Sequence, residues 1–345
     1  MSKLTTNLSI LFGLALLMLT GCEQDTTATL PQPGEEPAEV LFSARIASAQ
    51  VSTRVQNYND EKTSFQIGDQ IGLFTWRNSM TVPNQHLANI KLVSDENGNN
   101  LTAEGQKIYF PLQTEALQLS AYHPYSTDAV SGSTVKVRSE LQEGATYTNY
   151  ITDPLWAQTS ISKSDIQTNP TATLNFSHCM ARLKIYVYTT STTTDYYLEN
   201  IQVVYSLRQA GTLDLMTGKI TTAEMEDTYY DHNYTTNNQL PTSETGVAQY
   251  DHTILPAETL PTGEYGIPFM VSAIVIKVSY MEGDVKKSGE YIAYYARDVD
   301  SSQYIKPSSG KTVRVNIKFD PSTSLSSNIN GWNSEETIIN TPHAR

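Results

Sequence analysis

Strict alternation between apolar and polar residues constrains this chain more than any other feature. From Lys311 to Phe319, Val313, Val315, Ile317 and Phe319 take one side, and Thr312, Arg314, Asn316 and Lys318 take the other. A period of two puts successive side chains on opposite faces of a strand, so one face is apolar and the other is wet. The same pattern runs from Glu39 to Ala49, where Val40, Phe42, Ala44 and Ile46 alternate with Leu41, Ser43, Arg45 and Ala47. No stretch of a dozen residues carries convincing helical spacing, and no unit of domain-repeat length recurs. The 21 tyrosines, with abundant Thr and Ser, suit a pleated, half-buried surface. The fold class is therefore all-β.

Further strands are expected at Ile71–Phe74, after a turn at Ile67-Gly68-Asp69-Gln70, and at Lys107–Pro111, Leu117–Tyr125 and Val135–Arg138. Asn97-Gly98 is a hairpin signal. Residues 151–170, ITDPLWAQTSISKSDIQTNP, read as a connector between two bodies. Beyond it, strands are expected at Ala181–Tyr188, Leu198–Tyr205, Gly211–Leu215, Val271–Tyr280, Glu290–Ala296 and Lys311–Phe319. The Thr-, Asn- and Asp-rich residues 221–250 read as a long surface loop. Short strands at this spacing suggest sandwiches.

The N-terminus has a different character. Lys3 precedes an apolar run from Ile10 to Leu19, which is too short to span a bilayer, where about 20 residues are needed. It has the build of a secretory signal. The following Leu19-Thr20-Gly21-Cys22 resembles a bacterial lipobox, which implies cleavage before Cys22 and a lipid on its sulfur. Residues 23–38, acidic and proline-bearing, read as a tether. The expected division is a signal at 1–21, a tether at 22–38, a first domain at 39–170 and a second at 171–345. The only other cysteine is Cys179, so a lipidated Cys22 leaves no disulfide within the chain. The 23 Lys+Arg against 36 Asp+Glu argue against a nucleic-acid partner, which requires a basic surface.

Several segments in order resemble the fimbrillin family, the lipoprotein pilins and pilin-like surface proteins of Gram-negative gut and oral anaerobes. After the lipobox come the first strand with Ser52-Thr53-Arg54, then Gly68-Asp69-Gln70-Ile71-Gly72-Leu73, Ile108-Tyr109-Phe110-Pro111 and Ala121-Tyr122-His123-Pro124-Tyr125. Leu174-Asn175-Phe176-Ser177-His178-Cys179-Met180-Ala181-Arg182-Leu183 and the closing Ile329-Asn330-Gly331-Trp332-Asn333 complete the set. The resemblance implies two tandem transthyretin-like β-sandwich domains and a structural or adhesive role in fimbriae, with no catalysis. It implies a precursor held on the outer membrane through the lipid on Cys22, an arginine-directed cut after the first strand, and refilling of the vacated groove by a strand from another fimbrial subunit. The removable strand would place Val40, Phe42, Ala44 and Ile46 in the groove. Arg54, in a polar stretch beyond it, is preferred as the cut site over Arg45, which lies within the strand. The uncut state stays open, since uncut anchor or tip-type members of the family keep this strand. Thr337-Ile338-Ile339-Asn340 is short for a donor, which favours a tip or accessory subunit. The alternative is a lipid-anchored surface module that binds glycans through exposed tyrosines and never polymerises; host or bacterial surface ligands are possible under either reading.

No cofactor and no metal site are expected. The histidines at 86, 123, 178, 232, 252 and 343 show no metal-ligand spacing. His178 and Cys179 are adjacent on a strand and so point apart. Tyr122-His123 with Asp128 lacks a nucleophile motif. Asp95 to Asn100 lacks the ligand spacing of a calcium loop and reads as a turn.

Overall fold

The structure, a computed structural model, describes residues 37–47, 64–128, 130–139, 149–205, 210–222, 230–243, 248–256, 271–295, 308–320 and 326–331. The first half runs β1 (Leu41–Ile46), β2 (Gln70–Arg77), β3 (Gln85–Ser94), β4 (Asn100–Ala103), β5 (Ala116–His123), β6 (Val130–Ser131), β7 (Thr134–Arg138), β8 (Leu155–Ser162), α1 (Lys163–Thr168) and β9 (Thr171–His178). The second half runs β10 (Ala181–Thr189), β11 (Tyr196–Tyr205), β12 (Ala210–Asp214), β13 (Ile220–Thr222), β14 (Tyr230–Gln239), β15 (Tyr250–Ile254), β16 (Val271–Glu282), β17 (Val285–Tyr295), β18 (Thr312–Phe319) and β19 (Ser326–Gly331). The described chain is nearly all β, as its alternating pattern requires.

In the first half, β1-β4-β3-β2-β5-β8-β9 close into a barrel. Closure comes from β1, which pairs with β4 antiparallel and with β9 parallel. A β-sandwich is the expectation here, and the strands of this half form a closed barrel. Local alternation does not encode a parallel pair between strands so far apart in sequence, and this pair removes the edge. The interior holds Val40, Phe42, Ile71, Leu73, Leu117, Leu119, Leu174 and Phe176.

In the second half, sheet β15-β10-β18-β19 and sheet β14-β11-β16-β17 share one core. Leu183, Ile185, Val315 and Ile317 come from the first sheet, and Leu198, Ile201, Ile274 and Ile276 from the second; all are fully buried. The outer face of the second sheet carries a charged cluster. Glu199 on β11 meets Lys286 at 2.6 Å and Lys277 at 3.4 Å. The bond from Lys286 is the main cause holding the Glu199 carboxyl down at about 2. A carboxyl depressed on folding stabilises the protein above its unfolded value and loses that contribution as pH falls through the folded one. Glu199→Gln is therefore expected to lower the melting temperature at pH 7, and the gap to wild type should close as pH falls from about 4.3 towards 2; parallel melts at pH 7 and pH 2.5 check this.

A third sheet, β13-β12-β7-β6, takes strands from both halves, with Gly211 opposite Val137 and Leu213 opposite Val135. Behind it lie Phe74, Trp76 and Tyr122 of the barrel with Leu213, Leu215 and Ile220 of the second half. Trp156 on β8 ties the two together: its Nε1 lies 3.0 Å from both Ser120 Oγ and the Leu215 carbonyl oxygen. Gly218 has φ +71°, and a Cβ there would come within 2.6 Å of the Trp156 ring. Trp156→Phe keeps most of the packing and removes the donor, so a loss of about 1–2 kcal/mol in urea denaturation is expected.

Two expectations are revised. Residues 151–170 are not a bare connector: β8 pairs with β5 along its whole length, and α1 follows, capped by Ser162 Oγ accepting from Asp165 N at 3.1 Å. Residues 221–250 are not one loop, because β14 is a polar edge strand on β11. The chain passes from the barrel to the next sheet between β9 and β10, at Cys179-Met180, and β9 pairs with both β1 and β8. Gly310 N bonds the Met180 carbonyl oxygen at 2.9 Å, and Ser309 Oγ donates to the Cys179 carbonyl oxygen at 2.9 Å, which clasps this crossing from the β18 side.

Candidate assembly site: the first strand and its groove

β1 lies within the barrel wall and is paired on both sides. Toward β4 and the segment before β5, Val40 N donates to the Ile108 carbonyl oxygen at 2.8 Å, Ala44 N to Asn99 O at 2.8 Å, and Phe110 N to Ala38 O at 2.9 Å. Toward β9, Leu41 N donates to Pro170 O at 2.8 Å and Ala47 N to Phe176 O at 2.7 Å. The parallel ladder with β9 sets Phe42 opposite Ala172, Ala44 opposite Leu174 and Ile46 opposite Phe176. Ser43 Oγ and Thr173 Oγ1, 3.0 Å apart, add a side-chain bond along it.

The inward face is the one expected from the alternation. Val40 is 3% exposed, Phe42 5%, Ala44 1% and Ile46 7%. They share a core with Leu101, Ile108, Phe110, Ala172, Leu174 and Phe176. Arg45 points outward and is exposed. At the mouth, Lys107 Nζ lies 2.6 Å from Glu39 Oε2, and that bond raises the ammonium's pKa.

Two local devices shape the groove. The turn from β3 to β4 is organised by Asp95, whose Oδ1 accepts from the backbone of Asn97, Asn99 and Asn100 at 3.1–3.2 Å. The Asn100 side chain donates to Oδ2 at 2.7 Å, the main cause keeping this carboxyl below its usual value. The carboxylate is thus spent on its own turn, and that turn presents Asn99 O to β1. Phe65 is the second device. Its ring stands edge-on to Phe176, with centroids 5.0 Å apart. Ala47 N bonds to Phe176 O, so Ala47 and Phe65 both meet the same residue of β9.

Cys22, Arg54 and Thr337-Ile338-Ile339-Asn340 lie outside the described residues. Among those that are described, no helix is long and apolar enough to cross a membrane. The other constellations do not converge on one centre. His178 Nδ1 meets Asp153 at 3.0 Å, whereas the neighbouring Cys179 is buried, which pushes its thiol well above the ordinary range. Tyr122 OH sits 2.8 Å from Asn89 Oδ1 and 2.8 Å from Ser126 O, and His123 Nδ1 lies 2.9 Å from Gln70 O.

The fimbrillin-like family model matches residues 53–332. A relative from Bacteroides uniformis, named "Putative fimbrium subunit Fim1C", is 28% identical over 207 residues, covering 59% of this chain and 63% of that protein. The match thus spans less than two thirds of that relative's length. Among solved structures, a "putative cell adhesion protein" of Bacteroides uniformis covers 88% of this chain and 100% of its own, at 17% identity and a TM-score of 0.49. A "fimbrial assembly protein" of Parabacteroides distasonis covers 88% of this chain and 99% of its own, at 10% identity and a TM-score of 0.39. With a family model running through most of both halves, the chain belongs to the fimbrillin-like family.

Proposed function

We propose that this protein is a structural and adhesive subunit of a surface fimbria, made as a lipoprotein precursor and assembled by strand exchange. On this reading Cys22 carries the lipid that holds the precursor on the outer membrane. A cut after Arg54 frees β1, and a strand from another fimbrial subunit takes its place. The two halves would be tandem transthyretin-like units, and the role that of a tip or accessory subunit with no catalytic activity. The observation that carries the reading is β1 itself, a short N-terminal strand with four buried side chains and a backbone bonded on both edges. Its loss would leave two unpaired backbone rows beside an apolar trough, the condition that recruits an added strand. Head-to-tail addition of this kind does not close, so it builds a filament. Two further observations favour the reading: the family match opens at Thr53, beyond β1, and Phe65 fastens the chain to β9 independently of β1.

The test is fractionation of sheared surface material. The protein is expected in high-mass filaments that resist detergent; recovery solely as a detergent-soluble monomer contradicts assembly. A lipid-anchored glycan-binding module is the second reading, favoured by exposed aromatic side chains such as Tyr109 and Tyr234. A glycan array with the uncut monomer separates the two. Saturable saccharide binding lost in Tyr234→Ala supports the second reading; an empty array removes it.

A further inference from the structure

Histidines that look unrelated in sequence meet on one side of the second half. His232 is on β14 and His252 on β15, and these are outer strands of the two facing sheets. Their ring centroids are 5.1 Å apart with the planes at 74°. Tyr250 lies 4.6 Å from His252 and 5.6 Å from His232, and Tyr234 stands 6.4 Å from His252. Tyr250 is buried and Tyr234 exposed, so the pair sits between an apolar floor and solvent. Both histidine side chains are half-buried. Asp251, between Tyr250 and His252, is turned to the other face of β15, where Arg182 holds both of its oxygens at 2.6 and 2.8 Å.

The geometry points to a divalent transition-metal site in which His232 and His252 clip the edges of the two sheets together. Imidazole suits zinc and copper, and an acidic chain attracts cations. A nitrogen-to-zinc bond of about 2.0–2.1 Å puts each ring centroid roughly 3.2 Å from the ion, so two imidazoles at a tetrahedral angle have centroids about 5.2 Å apart. The observed separation of 5.1 Å matches that spacing. Among the described residues no group of three or more His, Cys, Asp or Glu side chains could hold a metal ion, so the proposed site has two protein ligands and water would fill its other positions. The occupied site would fasten β14, which is hydrogen-bonded along β11, to the opposite sheet.

The probes are Zn2+ and Cu2+, titrated calorimetrically into the full chain. One saturable site is expected, tighter for Cu2+ than for Zn2+. His232→Phe and His252→Phe keep a ring in place and each should weaken binding about tenfold or more, whereas His86→Phe should leave it unchanged. The absence of saturable binding in the wild type, or full retention in either ring-preserving variant, overturns the assignment and leaves an aromatic plug. Should a variant fail to fold, protection of the wild-type histidines from diethyl pyrocarbonate decides the matter. Zn2+ should shield His232 and His252 and leave His123 unaffected; equal modification with and without zinc refutes the site.

Discussion

A chain beginning at Val55, without β1, is expected to lose about 5–9 kcal/mol of first-half stability, counting about 1.5–3 kcal/mol for each of Val40, Phe42 and Ile46. The upper end is a ceiling, because an unfolded chain already buries some apolar surface. Small domains are stable by only about 5–15 kcal/mol, so the loss is a large share of the total. The vacated groove would also expose the backbone groups of β4 and β9 that now bond to β1, which cost further free energy when left dry. The measurement starts from the folded full-length chain cut at Arg54. Excess peptide covering residues 38–49 should exchange with the resident strand and keep the urea midpoint high. The same peptide with Phe42→Asp and Ile46→Asp should neither exchange nor protect, because it would bring two carboxylates into the core. Equal stability of cut and uncut chains without any peptide, after the released strand is washed away, would show that β1 contributes little.

Gly98→Ala should produce the second largest effect. Gly98 has φ +69°, and a Cβ there would stand 1.9 Å from the Phe65 carbonyl oxygen. The left-handed backbone costs a non-glycine residue about 1–2 kcal/mol. Forcing a methyl against fixed backbone adds about 1–3 kcal/mol. A total of about 2–5 kcal/mol is expected, measured by urea denaturation. The damage should concentrate on the groove: the displaced atoms belong to Phe65, the anchor on β9, and the turn carries Asn99, which accepts from Ala44. Hydrogen exchange should therefore rise first at Ala44 and Val40. Loss confined to the β16–β17 hairpin would contradict this placement.

These two sites were legible in the sequence to different degrees. The inward set of β1 followed from period two, because every second residue from Val40 to Ile46 is apolar and one face is fully covered. Asn97-Gly98 announced a turn, but nothing in it revealed that Phe65 would lie against the glycine. β8 was hidden because Gln158, Thr159 and Ser160 interrupt its apolar pattern, although Leu155, Ala157 and Ile161 are buried. β14 escaped for a similar reason: an edge strand needs little apolar content, and its Thr and Asn residues read as loop. The parallel pairing of β1 with β9 and the sheet shared by β7 and β12 are long-range choices that no local window contains. The histidine pair was missed because the spacing rule looks along one element, whereas His232 and His252 meet across two sheets.

Whether β1 is given up during assembly is tested most directly by N-terminal sequencing of the subunit recovered from native surface filaments. Loss of β1 after a cut at Arg54 gives a mature chain starting at Val55 with no peptide from residues 39–47 covalently attached. A filament-bound subunit starting at a lipidated Cys22, with β1 still joined to the rest of the chain, would contradict it.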